Sequence, residues 1–227
     1  MNNVFVHAAG LILSGNREVY FIVFTSLKLA VASTTISTTF AVPLAIVLSF
    51  NSFAGKRFII VILNSLMALP TVVIGLLLYS LISRSGPLGG FRLLFTPMAI
   101  IIGQSILSFP IIASFVYSAL AKTDVELPET LETLGAGGLE KNLMIIRESR
   151  AAVLSAILSG FGRVIGEVGV SMMLGGNIRW YTRTITTTIA LETSKGEFEL
   201  ALALGLILII ISFIVNFSLH MGIGNET

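Results

Sequence analysis

Residues 93–121, LLFTPMAIIIGQSILSFPIIASFVYSALA, contain no Asp, Glu, Lys or Arg. A helix needs roughly 20 predominantly apolar residues to cross the hydrocarbon core of a bilayer. This stretch is therefore long enough to cross once. Three more stretches lack these charged residues as well, namely 29–55, 58–83 and 200–225. The pattern predicts a protein that crosses a membrane several times.

The composition of the whole chain agrees with membrane insertion. Of 227 residues, 55% are hydrophobic and 11% are charged, and the mean hydropathy is +0.95. Soluble domains usually carry about 25% charged residues. The chain has no cysteine, only two histidines and a net charge of +2, which excludes disulfides and thiolate metal sites and gives no basic patch for nucleic acid. We expect no metal, no cofactor and no nucleic-acid partner.

Lipid offers no hydrogen-bond partners to the backbone, so spans of this length are expected to be helices. The predicted fold class is all-α, a polytopic membrane bundle of about five transmembrane helices within a single domain, 1–227. The predicted spans are 19–49, 58–83, 95–121, 151–176 and 198–219, which form a bundle over 19–219. Residues 1–18 are expected to be an amphipathic N-terminal segment that lies in the membrane interface or inserts partly.

The second predicted span contains Pro70, and the third contains Pro110. Proline lacks a backbone donor and clashes with the preceding turn, so each is expected to kink its helix or to break it. The first span has a hydroxyl-rich centre, ASTTISTTF at 32–40. Small hydroxyl residues favour close helix packing, and they can also line a polar pathway.

The fourth span is interrupted by Arg163 and Glu167. Their i, i+4 spacing predicts that both lie on one helix face and neutralise each other, either as a structural salt bridge or as a pair at a pathway or gate. Glycines surround the pair at positions 160, 162, 166 and 169, and they would permit close helix contacts, either as plain packing within the chain or across a dimer. Residues 177–197 contain Trp180 and Tyr181, which favour a surface loop or short helix at one membrane face.

Charge is concentrated in residues 122–150, which hold ten of the 26 charged side chains. Leucines recur there near helical spacing, and glycines at 135, 137 and 138 predict two short amphipathic helices joined by a bend. Such a segment is either a connector on the membrane surface or a docking element for a soluble partner.

The string ETLETLGAGG, residues 129–138, resembles the "EAA" loop of permease subunits in ABC importers. Glu129 supplies the acid of that motif, Gly135 follows six positions later, and Ile145 lies ten positions beyond the glycine. The departures from the motif are Thr130 and Leu131 in place of alanines, and Arg147 and Glu148 in place of a final Leu-Pro.

The resemblance continues beyond the loop. Residues 161–178, FGRVIGEVGVSMMLGGNI, are similar to the corresponding segment of molybdate- and tungstate-type permeases. Residues 182–193, TRTITTTIALET, most resemble tungstate importers among these oxyanion permeases. The order of the three segments identifies the chain as a permease of this family.

This resemblance implies the transmembrane subunit of a type I ABC importer that moves tungstate or a molybdate-like oxyanion by alternating access. It implies a homodimer, ATP-binding subunits on the cytoplasmic side and an extracytoplasmic oxyanion-binding protein. The chain is not expected to be an enzyme, because it contains no G-x-x-x-x-G-K-[ST] phosphate loop. The ATPase-coupling residues implied by the motif are Glu129, Leu131, Leu134, Gly135, Ala136 and Gly137.

The resemblance also places the loop 122–150 in the cytoplasm and the chain in the cytoplasmic (inner) membrane of a prokaryote. Lys and Arg number six on each predicted side, so the positive-inside rule does not decide the orientation. The residues by themselves leave two other classes open. One is an ion-coupled secondary transporter or channel that uses Lys28 with Arg163 and Glu167, and the other is a non-transporting membrane scaffold.

Overall fold

The computed structural model describes residues 2–121 and 137–223. These two segments contain ten α-helices and no strand. The helices are α1 (Asn2–Leu13), α2 (Arg17–Phe50), α3 (Lys56–Met67), α4 (Thr71–Ile82), α5 (Pro97–Ala121), α6 (Gly138–Glu148), α7 (Arg150–Ile165), α8 (Gly169–Gly175), α9 (Ile185–Lys195) and α10 (Phe198–Ile223). A short 3₁₀ turn, Gly89–Phe91, lies between α4 and α5.

Three helices are long and apolar enough to cross a membrane alone, namely α2, α5 and α10. Two further spans are bent pairs, because α3 and α4 meet at 100° and α7 and α8 meet at 59°. Counting each bent pair as one span gives up to five spans among the described residues. The predicted all-α bundle of about five spans is confirmed.

The second predicted span, 58–83, is not a continuous helix. α3 ends at Met67, and α4 begins at Thr71 after Pro70. Pro70 disfavours helical backbone at the preceding residue, and its carbonyl accepts the first bonds of α4 from the N–H groups of Val73 and Ile74. The predicted break is therefore present here, whereas Pro110 lies inside the uninterrupted α5.

The fourth predicted span is also divided. α7 ends at Ile165 with Gly166 as its cap, and α8 begins at Gly169. The prediction that Arg163 and Glu167 share one helix face is wrong, because Glu167 lies in the turn between the two helices. The turn nevertheless keeps these two side chains in contact.

The N-terminal helix α1 packs against α10. The chain reverses at Gly15, whose φ of +67° favours glycine. The Asn16 side chain then caps α2 by accepting hydrogen bonds from the backbone N–H groups of Glu18 and Val19, at 2.9 and 3.3 Å. Within α1, His7 Nδ1 lies 2.7 Å from Glu199 Oε1 at the start of α10.

The bundle has two ends that carry different segments. One end, here called the α6 end, contains the last turns of α2 and α5 and a core in which Leu48, Leu63 and Leu120 pack with Ile145 of α6. The opposite end, here called the Trp180 end, contains the starts of α2 and α5. It also contains residues 83–96 and the segment 176–184 that leads into α9.

Candidate functional site

The turn between α7 and α8 holds the predicted ion pair. Arg163 Nη1 lies 3.5 Å from Glu167 Oε2. The Glu167 side chain is 3% exposed and the Arg163 side chain is 42% exposed. The acid is therefore buried in the bundle, while the base reaches its outer surface. A carboxylate this deeply buried needs compensating partners, and the guanidinium is one of them.

Glu167 has two more contacts, both of which involve the main chain. Its Oε1 accepts a 3.3 Å hydrogen bond from the backbone N–H of Val170, in the first turn of α8. Its carbonyl oxygen accepts a 2.7 Å hydrogen bond from Thr186 Oγ1 of α9. A carboxylate at a helix start satisfies an N–H group that has no helical partner. Glu167 thus joins α7, α8 and α9 at one point.

The breaks in the two bent spans lie against each other. A Cβ added to Gly169 would lie 3.1 Å from Val72 Cγ2 and 3.2 Å from Thr71 Oγ1, both in the first turn of α4. One turn further along α4, a Cβ on Gly75 would lie 3.0 Å from the Met173 sulfur of α8. The absence of side chains at these glycines permits the close contact of α4 with α8.

The glycines around the ion pair divide into two groups. A Cβ on Gly160 would lie 2.6 Å from Ile112 Cγ1 of α5, so Gly160, like Gly169, serves a contact within the chain. A Cβ on Gly162 would meet nothing within 4 Å among the described residues, and one on Gly166 would meet only the Gly162 carbonyl. Gly162 and Gly166 therefore leave open space beside Arg163, and at Gly162 this space is bordered on one side by Ser212 and Asn216 of α10.

A buried amide that sequence reasoning missed lies at the centre of the bundle. Gln104 of α5 accepts a 3.0 Å hydrogen bond from Ser33 Oγ of α2 and donates a 3.1 Å bond to Ser171 Oγ of α8. Both ends of this amide are paired, as buried polar groups require. One signal was available, since Gln104 is the only Asn or Gln in the stretch 93–121.

The hydroxyl-rich centre of the first span serves mainly helix packing. Ser37 Oγ donates a 2.7 Å bond to the Ser105 carbonyl of α5 and lies 2.7 Å from Ser108 Oγ. Outside this contact, the hydroxyls of Thr35 and Thr39 bond back to carbonyls of α2 itself. The sequence allowed either close helix packing or a polar pathway. Close packing accounts for Ser33 and Ser37, which both contact α5.

The threonine segment 182–193 forms most of the short helix α9 and the turn before it. Five of its six threonines are buried, at 182, 184 and 186–188, and Thr193 is exposed. Thr184 and Thr187 cap the start of α9 reciprocally. The Thr187 hydroxyl also donates to Asn177 Oδ1 at 2.9 Å. The backbone N–H of Ile185 donates to Ser26 Oγ of α2 at 2.7 Å. These bonds fix α9 against the bundle.

An ion cluster occupies the Trp180 end. Glu18 accepts bonds from Arg179 Nε and Nη2, at 2.8 and 2.6 Å, and a longer one from Arg183 Nη1 at 3.4 Å. The hydrogen bond and charge of Glu18 raise the pKa of the Arg179 guanidinium. The guanidinium carbons of Arg17 and Arg179 lie 5.8 and 5.6 Å from the centre of the Trp180 ring.

Only one of the six predicted coupling residues, Gly137, lies in the described part of the chain. Its N–H donates to Glu140 Oε2 at 3.1 Å and begins α6. The other five fall in 122–136, outside the described residues, namely Glu129, Leu131, Leu134, Gly135 and Ala136. α6 is the second of the two helices predicted for the loop. Its Ile145 is 4% exposed and anchors it to the core at the α6 end.

The architecture matches permease chains of solved ABC transporters. A chain of the inward-facing MetNI methionine ABC transporter superposes with a TM-score of 0.72, covering 93% of this chain and 95% of that one at 15% identity. A chain of an amino acid ABC transporter solved with histidines gives a TM-score of 0.71, covering 92% and 94% at 16% identity. At this low identity the match concerns the fold, which is that of a type I importer permease.

The family model described as "Binding-protein-dependent transport system inner membrane component" matches residues 38–221, so the chain belongs to this family. A tungstate uptake system permease protein of Peptoclostridium acidaminophilum is 41% identical over 92% of both chains. A tungstate uptake permease of Campylobacter jejuni is 40% identical over the same shares. A molybdenum transport permease of Haemophilus influenzae is 30% identical, over 70% of this chain and 73% of its own.

Membership in this family confirms the predicted class and location. The chain is a permease subunit, a multi-pass protein of the cytoplasmic membrane, in a family whose transporters hydrolyse ATP in separate subunits. Such a transporter implies an ATP-binding partner and a substrate-binding partner.

Proposed function

We propose that this chain is the transmembrane subunit of an ATP-driven importer of tungstate. The observation that carries the proposal is the strength of the likeness to the two tungstate permeases, which extends over nearly the whole chain and exceeds the likeness to the molybdenum permease. Family membership argues against a secondary transporter, a channel or a non-transporting scaffold, because those proteins do not use separate ATP-binding subunits.

In this proposal the α6 end faces the cytoplasm, and the loop 122–150 docks on the ATP-binding subunit through the coupling residues, from Glu129 to Gly137. The bundle offers a direct route by which a displacement of this loop could reach the membrane-spanning helices. Ser149 both ends α6 and begins α7, so the two helices are joined by one residue. α7 has 16 residues, and at 1.5 Å per residue it extends about 24 Å. Displacement of α6 would therefore move the far end of α7.

Arg163 and Glu167 lie at that far end, and we assign them to a gate. The assignment is supported by the position of the pair in a turn, where a small change in backbone angles alters the bend between α7 and α8. Thr186 ties the same turn to α9. The start of α9 is connected to the Trp180 end by residues 176–184. A bistable bend of this kind is what alternating access requires, since the ATP-binding partner must favour one of two arrangements.

The proposal includes a homodimer whose interface contains the pathway. Its support is the open space beside α7 at Gly162 and Gly166, which Ser212 and Asn216 of α10 border at Gly162 but do not fill. Glycines in membrane helices permit a second helix to approach closely. The extracytoplasmic oxyanion-binding protein would then dock at the Trp180 end.

The test is reconstitution of the permease in liposomes with its ATP-binding subunit and its oxyanion-binding protein. We expect tungstate to enter only with ATP. Added molybdate should inhibit tungstate uptake more strongly than added sulfate does. A transporter whose ATP-binding subunit cannot hydrolyse ATP is the control. Tungstate uptake that persists in this control, or ATP-driven uptake of another anion with none of tungstate, would contradict the proposal.

A further inference from the structure

A cavity of about 1100 Å³ lies at the Trp180 end, between the last turn of α4 and residues 83–96. Its polar lining includes two guanidinium groups, Arg84 and Arg92, and the hydroxyls of Ser83 and Ser85. Apolar and aromatic groups form the rest, among them Tyr79. The cavity lies at the opposite end of the bundle from α6.

Both guanidinium groups in this cavity lack an acidic partner among the described residues. Within residues 2–121 and 137–223, no carboxylate lies within 4 Å of Arg84 or Arg92. The sequence supplies none nearby, because no Asp or Glu occurs between Glu18 and Asp124. At the same end of the bundle, Arg179 is neutralised by Glu18. The cavity therefore concentrates positive charge that the described part of the chain leaves uncompensated.

The loop that carries the two arginines is held in place by its backbone. The Leu88 N–H donates to the Leu81 carbonyl of α4 at 2.9 Å, and the Phe95 N–H donates to the Leu174 carbonyl of α8 at 2.8 Å. A Cβ on Gly86 would overlap the carbonyl oxygens of α4, so the loop packs directly on that helix. A loop fixed in this way loses little conformational entropy when it binds a ligand.

We propose that this cavity binds a tetrahedral oxyanion, which is either the transported anion before it enters the pathway or the phosphate of a lipid headgroup. Guanidinium groups bind tetrahedral oxyanions through paired N–H donors. The Ser83 hydroxyl donates to the Ser80 carbonyl and lies 3.3 Å from the Ser85 hydroxyl, so these two groups would add donors only after rotating towards the anion. The free-anion case rests on the proposed function, which places the Trp180 end outside the cell. The lipid case uses the apolar wall of the cavity for the glycerol and acyl groups.

The first arm of the experiment measures tungstate binding by calorimetry to the full chain in a maltoside detergent, which carries no phosphate, without partner subunits. The double variant Arg84→Gln/Arg92→Gln should bind tungstate at least tenfold more weakly, because it loses two charge-assisted contacts. The variant Arg84→Lys/Arg92→Lys should recover part of the affinity, since it restores the charge. The control is Arg57→Gln, an exposed arginine of α3 at the α6 end, which should bind like the wild type.

The second arm uses nanodiscs that contain phosphatidylglycerol, followed by native mass spectrometry of the released protein. A headgroup site predicts phospholipid retained by the wild type and by Arg57→Gln, and lost from Arg84→Gln/Arg92→Gln. A change in the first arm identifies the free anion, and a change confined to the second identifies the lipid. The proposal is overturned if the double variant matches the wild type in both arms. Neither arm requires ATP, so failure of ATP-driven uptake would not affect this result.

Discussion

Thr186 Oγ1 donates a 2.7 Å hydrogen bond to the carbonyl oxygen of Glu167, nineteen residues earlier in the chain. This bond ties the first turn of α9 to the turn between α7 and α8, and both residues are buried. The threonine segment resembling tungstate permeases is thus joined to the proposed gate by a hydroxyl group.

We predict that Thr186→Val lowers both stability and transport. Valine keeps the shape but leaves the Glu167 carbonyl without this donor, and the loss of one buried hydrogen bond costs about 1–2 kcal/mol. The measurements are thermal unfolding of the purified chain in detergent and the rate of ATP-driven uptake. Thr193→Val, at an exposed position on the same helix, should change neither quantity. Equal behaviour of the two variants would show that the bond is not important.

A double-mutant cycle of Arg163→Gln and Glu167→Gln tests the gate. Because Glu167 is 3% exposed, Arg163→Gln leaves a buried carboxylate without its guanidinium. Solvent at the 42% exposed Arg163 screens part of this loss, so the variant should cost about 1–3 kcal/mol of stability. In Glu167→Gln the amide oxygen could still accept the Val170 N–H bond, so the fold of this variant should persist. We expect each single variant to reduce the uptake rate by more than its loss of stability explains. In the double variant the two effects on the uptake rate should not multiply, because the two side chains act as a pair. Effects that multiply would mean that the two side chains act independently.

Gly103→Ala should destabilise the bundle at the contact of α5 with α8. An added Cβ would overlap Val170 Cγ1 and would lie 2.6 Å from Leu174 Cδ1, and both of these side chains are buried. Overpacking of this kind costs about 1–3 kcal/mol. Gly205→Ala is the matched control, because a Cβ there meets nothing within 4 Å among the described residues and α10 should gain slightly in helix propensity. A lowered unfolding temperature for Gly103→Ala alone is the expected result.

The Glu18 cluster should respond to salt rather than to pH. Glu18 raises the pKa of Arg179 in the folded chain. The contribution of Arg179 to stability is therefore fully present below the pKa that it has in the unfolded chain, and it is lost only as the pH rises through the higher pKa of the folded chain. Both values lie far above neutrality. The stability difference between wild type and Arg179→Gln should therefore be constant from about pH 6 to about pH 9 and should shrink as salt screens the exposed pair. A difference that changes across this pH range would contradict the assignment.

The absence of cysteine from the chain permits a direct test of the homodimer. Gly162→Cys places one thiol on the open face of α7, and a disulfide forms only where two Cα atoms come within about 7 Å. We expect Gly162→Cys to form cross-linked dimers in oxidised membranes, whereas Gly205→Cys on α10 should remain monomeric. Absence of cross-linked dimer from Gly162→Cys, or equal cross-linking of Gly205→Cys, would contradict an interface at this face of α7.

Residues that act through local chemistry could be predicted from the sequence. Pro70 breaks its helix because the ring constrains the preceding residue and removes a donor. Arg163 and Glu167 were recognisable as a pair because their spacing is short. The same reasoning placed both on one helix face and missed that Gly166 ends α7 between them. The choice between a continuous helix and a bend depends on what packs around it.

The amino-acid sequence by itself determined that the chain crosses a membrane several times as helices, since the scarcity of charge and the need to satisfy the backbone in lipid are properties of each segment alone. Tertiary structure alone decided which polar groups meet. Ser33 and Gln104 are 71 residues apart, and the hydroxyl of Thr186 reaches Glu167 only because α9 folds back onto the bundle. The uncompensated charge of Arg84 and Arg92 likewise became part of a cavity only when residues 83–96 packed on α4, because a binding site requires distant segments to surround one volume.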